Sequence, residues 1–328
     1  VGSEVLVSPA VSSDGAIYAA TSAELWKILS NGVVAWHVTT STEPEPVRYS
    51  TAIAEDGTVY VRTDRLYAVH ADGSIAWSSE PGCTTDSPSS IELAANGDIY
   101  VPVGCAPPHV ASFHADGGMA WSVNLPVSKF PPRVSTVAVG KDGTAYVAVT
   151  GGNPTPGSQL VSIGAGGSIQ WLSDSFDEIA PGDPCLVVDP NGVIYIPTIS
   201  STAAIDKNGH LLWTVPMSGE VAVGPNGTAY ITADKVYAID SNGGIMWSWG
   251  DPSTAYGSPV VSGIRLYVAA SCPALFSSCT AGLVALSTSG NKLWELQGVV
   301  PSTLFMGAGV LYLVDVSNSS TLSIVAVQ

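Results

Sequence analysis

Residues Glu220 to Trp247 read EVAVGPNGTAYITADKVYAIDSNGGIMW, and this stretch decides the fold. Four short apolar-alternating runs, Val221–Val223, Thr228–Thr232, Lys235–Asp240 and Gly244–Trp247, are separated by turns. Pro225-Asn226-Gly227 and Asn242-Gly243 supply residues that reach positive φ at little steric cost, and Ala233-Asp234 closes the middle hairpin. The segment is one four-stranded antiparallel sheet.

The chain writes that sheet repeatedly. Tyr18, Tyr60, Tyr100, Tyr146, Tyr195, Tyr230, Tyr267 and Tyr312 recur every 35 to 49 residues. Seven of the eight have Gly three residues earlier, and for Tyr267 the glycine, Gly263, sits four back. A second series, Trp36, Trp77, Trp121, Trp171, Trp213, Trp247 and Trp294, carries Gly four residues earlier and alternates with the first. The 328 residues therefore hold eight copies of roughly 41. Even spacing of short strands with one Gly/aromatic motif per unit predicts sheets arranged radially, wedged apart by tyrosine and tryptophan.

The expected fold is all-β: an eight-bladed β-propeller of four-stranded antiparallel blades in a single domain, 1–328. The blades fall at about 8–37, 50–78, 89–122, 134–172, 183–214, 219–248, 257–295 and 301–328. The last copy reaches Gln328 without a fourth strand or a tryptophan, and Glu4–Val7 reads as a strand with no partner before it. That N-terminal strand is expected to join the last blade and remove its open edge.

Composition narrows the setting. With 46% hydrophobic residues the blades can be buried on both faces, whereas 27 acids against 11 bases give a net charge of −16. Such a charge repels phosphates and anionic lipid, so no nucleic-acid partner is expected. No apolar run approaches the roughly 18 residues of a transmembrane segment. The chain opens on Val1 rather than Met, which fits a signal or lipid-attachment segment removed upstream. Two cysteine pairs fall within single blades, Cys83 with Cys105 and Cys272 with Cys279; both forming would imply an oxidising compartment, and the competing reading is unpaired thiols. Cys185, in the first strand of blade five, reads as a small buried residue.

Tight glycine turns join first to second and third to fourth strands, all at one face. The variable second-to-third loops and the linkers between blades gather at the other face, and binding is expected there. The linkers also collect carboxylates, most densely at Asp174, Asp177 and Glu178, with Asp183 close behind. A hard cation such as calcium would suit them, and a solvated acidic loop is the simpler reading. Counting seven back from the first glycine of each copy gives Ser8, Ser50, Ser90, Thr136, Cys185, Glu220 and Ser302, with Ser258 in the shifted copy. These positions predict a polar ring at the mouth of the central channel. Glu220 is its one carboxylate, flanked in the equivalent pre-strand positions by Arg48, Tyr49, Asp183 and Tyr256. Trp249 lies outside the tryptophan series, in the same linker as Tyr256, where an aromatic pair either packs on the next blade or stacks on a ligand. The five histidines are scattered, and no nucleophile elbow, phosphate loop or zinc motif is present.

The third-to-fourth turns read Ala204-Ile-Asp206-Lys-Asn-Gly209 to Trp213, Ala238-Ile-Asp240-Ser-Asn-Gly243 to Trp247 and Ala285-Leu-Ser-Thr-Ser-Gly290 to Trp294. This resembles the Ala-x-Asp-x-x-Thr-Gly-x-x-x-Trp repeat of the pyrroloquinoline-quinone-like propellers, which include quinoprotein dehydrogenases and the BamB-like scaffolds of bacterial outer-membrane assembly. The quinoproteins carry an adjacent cysteine pair that this chain lacks, so pyrroloquinoline quinone is not expected. The resemblance implies a bacterial, secreted, periplasmic or envelope-anchored monomer that binds a protein or small ligand through its loop-rich face. The alternatives are an enzyme with a metal- or quinone-assisted site at the channel mouth, using Glu220 and Asp183, and a glycan-binding module.

Overall fold

The computed structural model describes residues 7–21, 23–41, 50–82, 90–105, 107–126, 133–150, 157–180, 185–271, 281–316 and 323–327. Every element among them is a β-strand, and the strands form eight antiparallel blades set around an axis as a propeller. The repeat stretch gives blade six: Glu220–Val223, Ala229–Thr232, Val236–Ile239 and Ile245–Trp249, each paired with the next. Its turns follow from the sequence. Gly227 and Gly243 stand at φ +80° and +84°, and the Asn226 and Asp240 side chains accept backbone N–H groups of Thr228, Asn242 and Gly244.

The innermost strands are Val7–Val11, Ser50–Ile53, Glu92–Leu93, Val134–Val139, Val187–Val188, Glu220–Val223, Val260–Ser262 and Pro301–Gly307. The first of them packs beside both Ser50–Ile53 and Pro301–Gly307, so the ring closes between blades eight and one. A Cβ built on Gly307 would lie 2.1 Å from Val11 Cβ, and only glycine allows that approach. Middle strands are buried on both faces, as in Ile99–Val103 and Ala145–Thr150, whereas outer strands such as Ile75–Ser79 alternate exposed and half-buried residues.

The tryptophans act as wedges in two directions. Within each of the first seven blades the Tyr and Trp rings meet at 5.2 to 5.9 Å between centroids. Across the seam, the Trp of one blade lies on the third-to-fourth turn glycine of the next. Trp36 covers Gly73, Trp77 covers Gly117, Trp121 covers Gly167, Trp171 covers Gly209, Trp213 covers Gly243 and Trp247 covers Gly290. Five of these six indoles also donate Nε1–H to the carbonyl two residues before that glycine, at 2.8 to 3.1 Å. Position in the repeat thus fixes both a ring contact and a hydrogen bond.

Blade eight differs. Its described strands are Pro301–Gly307, Val310–Asp315 and Ser323–Val327, and no fourth strand is found among the described residues. Of the expected closing strand Glu4–Val7, residues 4–6 lie outside the described set. Val7 opens the inner strand of blade one, paired with Ala20. Blade seven is also irregular: its inner strand is split into Ala255–Tyr256 and Val260–Ser262, interrupted by Gly257-Ser258-Pro259, since proline has no N–H to give the ladder.

Candidate functional site

At the loop-rich end, between blades six and seven, the structure brings two of the sequence-derived residues together. Trp249 ends the outer strand of blade six, and Tyr256 belongs to the split inner strand of blade seven. Their ring centroids are 6.1 Å apart, edge to face at 65°. Gly250, at φ +112°, turns the chain between them, and a Cβ there would sit 2.4 Å from the Tyr256 hydroxyl. That hydroxyl accepts the Asp251 N–H at 2.8 Å, which locks the ring against the turn. Asp251 in turn accepts from Ser253 N and Oγ at 2.8 and 2.7 Å, and these bonds hold its carboxyl below the usual range.

Trp249, Tyr256, Asp251 and Thr254 line a cleft of about 390 Å³, floored by Ala270 and Val284 and rimmed by Lys292 and Glu295. Lys292 and Glu295 form an ion pair at 2.5 Å, and the hydrogen bonds from Lys292 and Gln297 hold the Glu295 carboxyl below the usual range. The chemistry offered is an aromatic wall, an apolar floor and a charged edge. Such a pocket receives a ring or an aliphatic side chain and orients it through polar contacts at the rim.

The remaining candidates are dispersed. Arg48, Tyr49 and Asp183 lie outside the described residues, as do Cys83, Cys272 and Cys279. Glu220 begins the inner strand of blade six, half-buried, and burial pushes its carboxyl up. Asp174, Asp177 and Glu178 are not gathered. Asp177 accepts from Ser200 Oγ at 2.6 Å and Thr198 Oγ1 at 3.3 Å, which lowers its carboxyl, while Asp174 points to the Leu211 N–H in the adjacent blade. No group of three or more His, Cys, Asp or Glu stands ready for a metal ion among the described residues. His109 lies between the carbonyls of Pro107 and Pro81, and His114 rests on Asp98 at 2.8 Å.

Cys185 is exposed rather than buried, because it precedes the two-residue inner strand Val187–Val188 instead of lying within it. It takes no part in a disulfide, whereas Cys105 is disulfide-bonded.

The hydroxyl ring has a different role from the one its pattern implies. Ser50 Oγ accepts the Ile91 N–H of the next blade at 3.4 Å, Ser90 Oγ accepts Val137 N–H at 3.2 Å, and Thr136 Oγ1 accepts Leu186 N–H at 3.1 Å. The hydroxyls lock neighbouring inner strands together, so they are spent on structure. A sequence shows which residue type recurs, not which backbone group it faces.

Two features escaped the sequence reading. Glu92, on the inner strand of blade three, reaches solvent yet is ringed by protein, as a channel group is, and desolvation pushes its carboxyl up to about 7. A cavity of about 580 Å³ opens on the tight-turn side between blades seven and eight, lined by Ser262 to Arg265 and by Met306, Gly309 and Val327. Its signal was the shifted glycine: Gly263-Ile264 and Ala308-Gly309 make two-residue turns, shorter than the Asp-Gly turns elsewhere, and leave space beneath.

Residues 200–325 match the family model described as outer membrane protein assembly factor BamB. BamB from Moraxella catarrhalis superposes with a TM-score of 0.69 at 14% identity, covering 97% of this chain and 95% of that one. The computationally designed Ika8 protein superposes at 0.73 with 11% identity over 99% and 98% of the two chains. Virginiamycin B lyase from Staphylococcus aureus gives 0.60 at 16% identity over 82% and 93%. No curated protein matches the sequence. The molecule is an eight-bladed all-β propeller. Over residues 200–325 its repeats are similar to those of the BamB family model. No helix long and apolar enough to cross a membrane occurs among the described residues.

Proposed function

We propose that this propeller is a non-enzymatic scaffold that binds a protein through its loop-rich face, with the cleft between blades six and seven as the anchor pocket. The observation that carries the reading is the Trp249–Tyr256 pair held edge to face above an apolar floor, with the Lys292–Glu295 pair at the rim. Rigid aromatics in a partly desolvated pocket surrounded by polar groups are the usual architecture of a binding hot spot. The BamB-like repeat supports a protein partner, and a disulfide at Cys105 supports an oxidising, secreted or envelope setting, with Cys83 as the partner we favour.

The test is cross-linking of the purified protein to its native extract, comparing wild type with Trp249→Ala and with Ile75→Asp, an exposed outer-strand change away from the cleft. A partner whose yield falls at least tenfold in Trp249→Ala and stays constant in Ile75→Asp is expected. Equal yields from all three proteins would remove the cleft from the account. The same ring pair also favours a glycan-binding reading, which a glycan array with Trp249→Ala as control separates from the first.

A further inference from the structure

The cleft between blades six and seven holds polar groups that the fold itself leaves unpaired. Five of the six indoles laid on a turn glycine donate Nε1–H to a carbonyl of the next blade, at 2.8 to 3.1 Å. Trp249 does not. Its ring is half-buried against Tyr256, and its Nε1–H meets no acceptor among the described residues while staying open to solvent. The Asp251 carboxyl is only half engaged. Its Oδ1 accepts the Ser253 N–H and hydroxyl at 2.8 and 2.7 Å, whereas Oδ2 takes no donor among the described residues. The Thr254 hydroxyl, on the same wall, is likewise without a partner among them.

Charge decides what these groups select. Of the three charged side chains lining the cleft, Lys292 and Glu295 neutralise each other as an ion pair, and Asp251 is left over. The bonds from Ser253 hold its carboxyl below the usual range, so it is ionised at neutral pH. The chain carries 27 acids against 11 bases, and that field draws cations to its surface. An ammonium group would meet Asp251 as a point charge and leave the indole face uncovered. A guanidinium is a plane: it lies flat on an aromatic ring while N–H groups along its edge reach oxygens beside that ring. Trp249 offers the ring, Asp251 Oδ2 and the Thr254 hydroxyl offer the oxygens, and Ala270 with Val284 floors the cleft for the methylene stem.

We propose that the cleft takes an arginine side chain of the partner protein, its guanidinium stacked on Trp249 and hydrogen-bonded to Asp251. The inference rests on the reading of this cleft as the anchor pocket and names what fills it. The Trp249 N–H then finds its acceptor in a backbone carbonyl of the segment that carries the arginine.

The probe is N-acetyl-arginine amide, titrated into the whole protein and followed by NMR at the indole N–H resonances of its nine tryptophans. The Trp249 resonance is the one lost in Trp249→Phe. Saturable movement of that resonance is expected. Binding should weaken about fivefold for the lysine amide, for the neutral citrulline amide, and for the arginine amide on Asp251→Asn, which keeps the oxygen that Ser253 bonds. No saturable movement, equal binding of the citrulline amide, or undiminished binding to Asp251→Asn would each overturn the proposal. The two readings fail separately. A partner still captured through Trp249 while the arginine amide does not bind overturns the arginine and leaves the anchor pocket. Saturable arginine binding without any Trp249-dependent partner supports the arginine site and removes the scaffold reading.

Discussion

Blades six and eight share one repeat, yet they are finished differently. In blade six, Gly243 lies under Trp213 of the preceding blade, and Trp247 in turn covers Gly290 of the following one. In blade eight, Tyr312 stacks on an inner-strand phenylalanine, and no fourth strand is found among the described residues. The lesson is that the tryptophan serves the seam as well as the blade. It supplies one ring contact within its own sheet and another across the gap. Stability in such a ring is a sum of blade and interface contributions, so interfaces of different strength can coexist.

Substitutions at the tryptophans should widen that contrast most. Trp213→Ala removes a Tyr195 contact, a glycine cover and the hydrogen bond to Ser241, and should cost about 3 kcal/mol by urea denaturation. Trp171 pairs with Tyr146 and covers Gly209, but its Nε1–H meets no carbonyl among the described residues. Trp171→Ala should therefore cost about 1 kcal/mol less, near the worth of one hydrogen bond. Equal losses would mean that the indole hydrogen bond contributes nothing beyond burial.

A smaller effect probes the inner strand of blade three. Glu92 has a folded-state carboxyl at about 7 against an ordinary 4.5. Its proton is held more tightly when folded, so stability falls as pH rises from 4.5 through 7, and the cost is complete above 7. Glu92→Gln should match wild type at pH 4 and exceed it at pH 8 by up to about 1 kcal/mol, a figure discounted for screening by channel water. Thermal melts across that range check it, and a constant difference would show that Glu92 is ordinary.

Much of this architecture was readable beforehand, because its signals are covalently simple. Positive φ demands glycine, and Gly57, Gly143 and Gly227 mark their turns in sequence as they do in space. Alternating Tyr and Trp marked the wedges for the same reason: few side chains fill that volume. The Trp249–Tyr256 pair was also visible, as two aromatics in one linker. What stayed hidden depends on neighbours distant in sequence. Ser50 looked like a channel hydroxyl until Ile91, 41 residues away, proved to be its donor. Glu92 carries no mark in the sequence that sets it apart, since desolvation of its carboxyl depends on the folded surroundings. Cys185 seemed buried because the repeat extends the inner strand over it, whereas in blade five that strand shrinks to Val187–Val188. The boundary of the closing segment was the least legible part: Val7 belongs to the inner strand of blade one, paired with Ala20, while residues 4–6 lie outside the described set.

The most direct test of the seam account compares two glycines with nearly the same backbone. Gly243 and Gly32 stand at φ +84° and +82°, so alanine strains both turns equally. At Gly243 the new Cβ would also stand 2.9 Å from the Trp213 ring, which must shift, while at Gly32 it meets no described atom within 4 Å. Urea denaturation should show Gly243→Ala losing at least about 1.5 kcal/mol more than Gly32→Ala. Equal losses would contradict the claim that a tryptophan laid on the turn glycine closes the covered seams.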